Sequence, residues 1–461
     1  MVASARQFYY QLMLQPRYQQ ASRVNIKLVW ILRASAIVLC TAIIWWLLWV
    51  DFHRRDLVEA TDFANSCYVA GKIATSGNVQ LLYPEMSAES YVGSSFPAIA
   101  HQTLGTLPSG SYPVWQYSPL NAFLFSYLSN FSVDTALLIW QILNGVATVA
   151  IAFMMAKPFR LRVLDAFLFC FCFAPWFMMI KFGQQGLMFG VLPLCLGFWF
   201  AGKNRSVLAG LCLSITFLNP KYLIIAGLFA AIAFWRNKKI LPGLILGVAF
   251  WIVFLFLAAP HMMLPWLHGL KLAELYFFDP HLLHRTFIYT SLPALSILNL
   301  PVEFRDAAKI ASYSAAAVVG AATLWVGLRA SKQLRKSKFY LLALSLSFLA
   351  MPVIEPHLLF YDLSGAAIGL LGLWHLSKPG MPNLGGVSAM LWVAITGYFL
   401  IFAFNLLQPQ PLVFVLILSA AYLQILRFLM RELPNTGFPH QLTRTCHTES
   451  EQLPSVGAGL R

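Results

Sequence analysis

Apolar residues run along this chain in blocks of about 15 to 24, the length that crosses the hydrocarbon core of a bilayer. The blocks cover residues 28–50, 134–155, 163–180, 187–202, 207–218, 222–235, 240–259, 306–328, 339–353, 358–376, 386–406 and 412–430. A backbone in lipid has to satisfy its own polar groups, so each block predicts a helix. The expected fold is an all-α polytopic membrane protein with about twelve transmembrane helices. Blocks 207–218 and 222–235 are short for a full crossing and predict a broken or tilted pair. A basic arm at 1–27 precedes the first block, and no small-residue cleavage site follows it, so that block reads as a retained helix. Residues 28–430 are expected to form one transmembrane domain, and 431–461 a disordered cytoplasmic tail.

Composition agrees with the pattern. The 461 residues are 59% hydrophobic and only 11% charged, where a soluble domain has about a quarter charged. The net charge of +15 is spread over short loops such as "KPFRLR", "KNR", "RNKK" and "RASKQLRKSK". That distribution reads as a topology signal and argues against a nucleic-acid partner, which needs one basic patch. It predicts a multi-pass protein of the inner (plasma) membrane with both termini cytoplasmic. Most of the seven cysteines lie inside apolar blocks and imply no disulfide framework. Cys170 and Cys172 sit two apart, do not share a helix face and are not a metal pair.

This orientation gathers the polar interruptions on the outer face. They are "KFGQQG" at 181–186, "NPK" at 219–221, "EPHLLFYD" at 355–362, and the two longest loops, 51–118 and 260–305. The first loop carries Asp51, Asp56, Glu59 and Asp62 within twelve residues. Each acid could be a solvated or capping group, or could point into a membrane-level cavity as a general base.

In order and spacing these elements resemble glycosyltransferase family 87 of the GT-C superfamily, over residues 28–376. The resemblance is carried by Asp62–Phe63, Gly77 with Tyr83, Tyr117–Ser118–Pro119, Gly183–Gln184, Asn219–Pro220–Lys221, and Glu355–Pro356–His357 with Asp362. Two elements depart from the family pattern: "GQQG" stands where it has "GQxN", and "PK" where it has "KP". The superfamily's long outer loops after the first and seventh spans correspond to 51–118 and 260–305.

The resemblance implies an integral membrane glycosyltransferase. A hexose, mannose first among them, would pass from a polyprenyl-phosphate donor to an extracytoplasmic glycan or lipid acceptor, with inversion and with no metal or other cofactor. Asp62 is expected to be the catalytic base, with Asp51 the alternative. Lys221, Lys181, Arg285 and Gln184 are expected to bind the donor and its phosphate. Tyr83, Tyr117, His284, Glu355, His357 and Asp362 are expected to line the substrate groove. Plainer roles remain open: snorkelling for Lys181, an interhelical hydrogen bond for Gln184 and a helix cap for Glu355. The rival functions are a transporter or lipid-linked-sugar flippase, and an assembly subunit without activity. Transporters often carry paired repeats with midplane charges, whereas the ionisable residues here cluster at one face.

The charge bias can be checked directly. A cysteine at position 78 (Asn78→Cys) should react with an impermeant thiol reagent added outside cells, and one at position 331 (Ser331→Cys) should not. The reverse labelling would overturn the orientation.

Overall fold

The computed structural model describes residue 31 and residues 33–107, 110–159, 161–277, 289–298, 300–377, 384–403 and 411–435. They are helical, with no β-strand among them and one isolated bridge between Tyr289 and Leu359. Among the described residues, six helices are long and apolar enough to cross a membrane: Arg33–His53, Val133–Ala156, Ile240–Ala258, Arg305–Gln333, Lys336–Ile354 and Pro411–Arg431. A seventh span results if the bent pair Val163–Phe171 and Ala174–Lys181 counts as one. Leu187–Gly202, Ser206–Leu218, Pro220–Phe234 and Leu384–Leu400 are apolar but shorter. The block at 358–376 becomes a 3-10 turn, Phe360–Gly365, followed by helix Ala366–Leu376. The all-helical membrane architecture therefore stands, while several of the expected crossings are shorter than a straight span.

The broken helices share a physical cause. Pro175 has no N–H to continue the preceding helix, and the chain turns by 75° between Phe171 and Ala174. The second half of that pair is buried along its whole length and ends at Lys181. Asn219 is extended between the 3-10 turn Ile215–Leu218 and the helix that Pro220 opens, which breaks the expected short pair where the sequence suggests. Both breaks deliver polar residues to one end of the bundle.

The two long loops fold together. Phe63, Tyr83, Trp115 and Phe125 build an apolar core with Trp266 and Tyr276 from helix Met263–Phe277, separate from the core of the helix bundle. Trp266 Nε1 donates to the Gln116 carbonyl at 3.3 Å, tying the second loop to the first. Further on, Thr290 N–H donates to the Leu358 carbonyl at 2.8 Å, so the second loop also passes beside "EPHLLFYD".

One ion pair anchors the first loop to the bundle. Asp51, in the last turn of Arg33–His53, pairs with Lys181, and both side chains are buried. Lys181 is thus a buried, paired cation and does not snorkel to the membrane surface. Removing one partner leaves an uncompensated buried charge, which costs about 3–5 kcal/mol, whereas replacing both by apolar groups is often neutral. Asp51→Ala and Lys181→Ala should each lower the unfolding temperature in detergent sharply, and the Asp51→Leu/Lys181→Met double variant should recover most of the loss. Single variants as stable as the parent would show that the pair does not anchor the loop.

Candidate active site

The stretch Lys181–Phe182–Gly183–Gln184 turns directly against the start of the first loop. Phe63 N–H donates to the Phe182 carbonyl at 3.0 Å, and Trp140 Nε1 donates to the Gly183 carbonyl at 2.9 Å. Gly183 sits at φ +62°, and a Cβ there would lie 2.4 Å from the Cβ of Phe63. Only glycine allows both that backbone and that approach.

The turn brings Gln184 to Asp62. Gln184 Nε2 donates to Asp62 Oδ2, and the Tyr361 hydroxyl donates to the same oxygen at 2.7 Å. Tyr117 completes the group by donating to Gln184 Oε1 at 3.4 Å. These residues border a cavity of about 290 Å³, walled also by Tyr112, Gln116 and Phe360. Asp62 is held by these side-chain donors and not by backbone amides of the helical turn it opens.

The four acids of the first loop separate clearly. Asp51 is paired with Lys181. Asp56 is exposed and pairs with Arg54 at 2.8 Å. Glu59 is buried and bound by the Thr106 N–H and hydroxyl, both at 2.7 Å. Asp62 alone among them borders the cavity. Burial drives its carboxyl above the ordinary range, and the nearby Asp362 carboxylate adds to this. Tyr361, Lys221 and Gln184 oppose the shift.

Lys221 and Asp362 form an ion pair of 2.9 Å. Asp362 Oδ2 also accepts the Leu359 N–H at 3.0 Å and so caps its own 3-10 turn. Lys221 is thus already charge-compensated. Glu355 is buried at the C-terminus of helix Lys336–Ile354, where a negative charge opposes the helix dipole. Burial raises its carboxyl well above the usual range, with Asp362 adding and Lys221 opposing. It is no N-terminal cap. Burial brings His357 down to about 4, with Lys221 and Lys309 also lowering it and Glu274 opposing, which keeps the imidazole neutral near pH 7.

Of the expected groove residues that the structure describes, Tyr117 borders this cavity, whereas Tyr83, Glu355, His357 and Asp362 do not. Tyr83 is buried behind the segment 115–117, where its hydroxyl donates to the Tyr117 carbonyl at 2.5 Å and accepts from Trp115 Nε1 at 3.2 Å. It shapes the wall without touching the space. Gln185 is a fully buried brace, accepting from Asn121 Nδ2 and facing Cys67 Sγ at 3.2 Å. His284 and Arg285 lie outside the described residues. No three His, Cys, Asp or Glu side chains among the described residues group as metal ligands.

Tyr361 is the residue that the sequence reading missed. It stands beside Asp362 in "LLFYD", and a tyrosine next to a functional carboxylate is a signal that was there to read.

The Lys221–Asp362 pair gives Lys221 a structural role. Truncating Lys221 strands a buried carboxylate, so Lys221→Ala should lower the unfolding temperature as well as any activity. Lys221→Arg should retain more stability than Lys221→Ala. Equal stability of Lys221→Ala and the parent would mean that the pair contributes little.

A model of glycosyltransferase family 87 matches residues 115–352, just over half of the chain. The matched interval holds Tyr117, Lys181, Gln184 and Lys221, while Asp51, Asp62, Glu355, His357, Tyr361 and Asp362 lie outside it. No curated protein and no solved structure matches the chain.

Proposed function

The chain belongs to glycosyltransferase family 87, and from that membership we propose that Asp62 is the base of a sugar transfer carried out in the cavity beside it. Membership makes the protein a membrane glycosyltransferase with a sugar donor and an acceptor. The finer reading is a GT-C-like enzyme with its site on the extracytoplasmic face and both termini cytoplasmic. It takes a hexose, mannose first, from a polyprenyl-phosphate donor and passes it to a glycan or lipid acceptor.

The observation that carries this reading is the setting of Asp62. A partly open cavity of about 290 Å³ has room for a sugar ring beside a carboxylate that receives two neutral hydrogen bonds and no direct ion pair among the described residues. Such a carboxylate keeps its basicity, whereas one tied to a lysine has lost much of it.

In the proposed step Asp62 accepts the proton of an acceptor hydroxyl. That oxygen forms the new bond to the anomeric carbon. The bond from the anomeric carbon to the phosphate oxygen breaks, and polyprenyl phosphate departs with the electron pair. One displacement inverts the configuration. Gln184 and Tyr361 fix the direction of the carboxylate, and Tyr117 fixes Gln184. Lys221 can help the leaving phosphate by sharing its charge between that phosphate and Asp362.

Two measurements test the assignment. Single-turnover transfer from a synthetic polyprenyl-phosphate hexose in nanodiscs should slow by about 10²–10⁴-fold in Asp62→Asn, with the protein still folded. A rate near the parent's removes Asp62 from the chemistry. The pH–rate profile supplies the second. The base works deprotonated, so activity should fall as pH drops through a value above the ordinary carboxylate range. Tyr361→Phe removes a hydrogen bond that favours the charged form, so its acid limb should move to higher pH. A limb that stays put or moves down contradicts the role of Tyr361.

A further inference from the structure

A second cavity, of about 370 Å³, opens at the other end of the bundle. The helix Lys336–Ile354 connects the two: Ser337 and Lys338 in its first turn border this cavity, and Glu355 beyond its last turn belongs to the charged cluster around Lys221. Nineteen residues at about 1.5 Å per residue separate the sites by about 28 Å. The second cavity therefore has no part in the transfer step.

Its chemistry is distinct. Lys157 and Lys203 come to it from just past the ends of helices Val133–Ala156 and Leu192–Gly202, Lys338 from the first turn of helix Lys336–Ile354, and His375 from the last turn of helix Ala366–Leu376. No carboxylate lines it. None of the three lysines forms an ion pair within the described residues, and Lys203 Nζ lies 3.4 Å from the centre of the Trp199 ring. Trp199 and Tyr340 give the cavity an aromatic wall. Helix Lys336–Ile354 begins here without a side-chain cap, so the amides of its first turn add positive potential to that of the lysines.

Basic loops at one end of a membrane protein have a plain explanation, since they set orientation. Orientation needs only the charge in the loops. It does not need three lysines converging on a cavity with an aromatic wall and no acid. We propose that this cavity is a binding site for a phosphate ester, its anionic oxygens held by Lys157, Lys203 and Lys338 and its apolar neighbour set against Trp199 and Tyr340. The headgroup of an anionic phospholipid and a free phosphate share this chemistry, and the size is that of a small-ligand site.

The test uses the full chain, stripped of lipid in detergent, with native mass spectrometry as the readout. Phosphatidylglycerol and phosphatidylcholine are titrated separately, and inorganic phosphate is then added as a competitor. The parent protein should retain phosphatidylglycerol well above phosphatidylcholine. The Lys157→Gln/Lys203→Gln/Lys338→Gln variant should lose that preference by a factor on the order of 100, from about one Boltzmann factor of five per lysine. Lys238→Gln/Lys239→Gln, which removes exposed charge outside the cavity lining, should keep it. Release of the lipid by millimolar phosphate would make the soluble ion a ligand of the same site, and retention would assign the site to the lipid. Equal retention of the two lipids by the parent protein, or an unchanged preference in the triple variant, overturns the proposal.

Discussion

The approach of Gly183 to Phe63 is the constraint on which the site depends. A side chain at position 183 would collide with the Phe63 Cβ, and the left-handed backbone there suits glycine alone. The Phe63 N–H to Phe182 carbonyl bond closes the same contact. Without it, Gln184 could not reach Asp62 from a turn 122 residues away in sequence. The 75° bend at Pro175 aims the turn, and the buried Asp51–Lys181 pair holds its root. The chemistry proposed for Asp62 therefore rests on a proline, a glycine and one ion pair, none of which touches the cavity itself.

Electrostatics divides the polar groups into two kinds. Asp51, Glu59 and Asp362 are matched to cations or to several donors, and their charges are used in holding segments together. Among the described residues Asp62 is matched only to an amide and a phenol, so its charge stays available for a proton. The Lys221–Asp362 pair stands behind it, near enough for both charges to act on Asp62. In the proposed transfer, an anionic donor entering this cluster would compete with Asp362 for Lys221 and so pull on the "EPHLLFYD" segment.

Much of this was legible in the sequence. The apolar blocks predicted helices, and the polar interruptions at 181–186 and 355–362, expected on one face, do meet at one place with Asp62. The helix break at Asn219–Pro220 was also readable, because proline leaves a local mark. What the sequence could not disclose was partnership. Lys221 and Asp362 are 141 residues apart, and nothing local says that one neutralises the other. The family resemblance put Tyr83 in the groove, yet its hydroxyl turns inward to the Tyr117 carbonyl. The number of full crossings also exceeded what residue blocks can establish, since a block of suitable length can bend, shorten or start with a 3-10 turn.

The central claim is that the reacting sugar sits beside Asp62, between Tyr117, Gln184 and Tyr361. The most direct measurement is a cryo-EM structure of the Asp62→Asn protein in nanodiscs with a polyprenyl-phosphate hexose bound. The account predicts sugar density in the cavity next to residue 62, with the phosphate toward Lys221 and a shifted or shared Lys221–Asp362 contact. Sugar density elsewhere, with this cavity empty and the Lys221–Asp362 pair undisturbed, would contradict it.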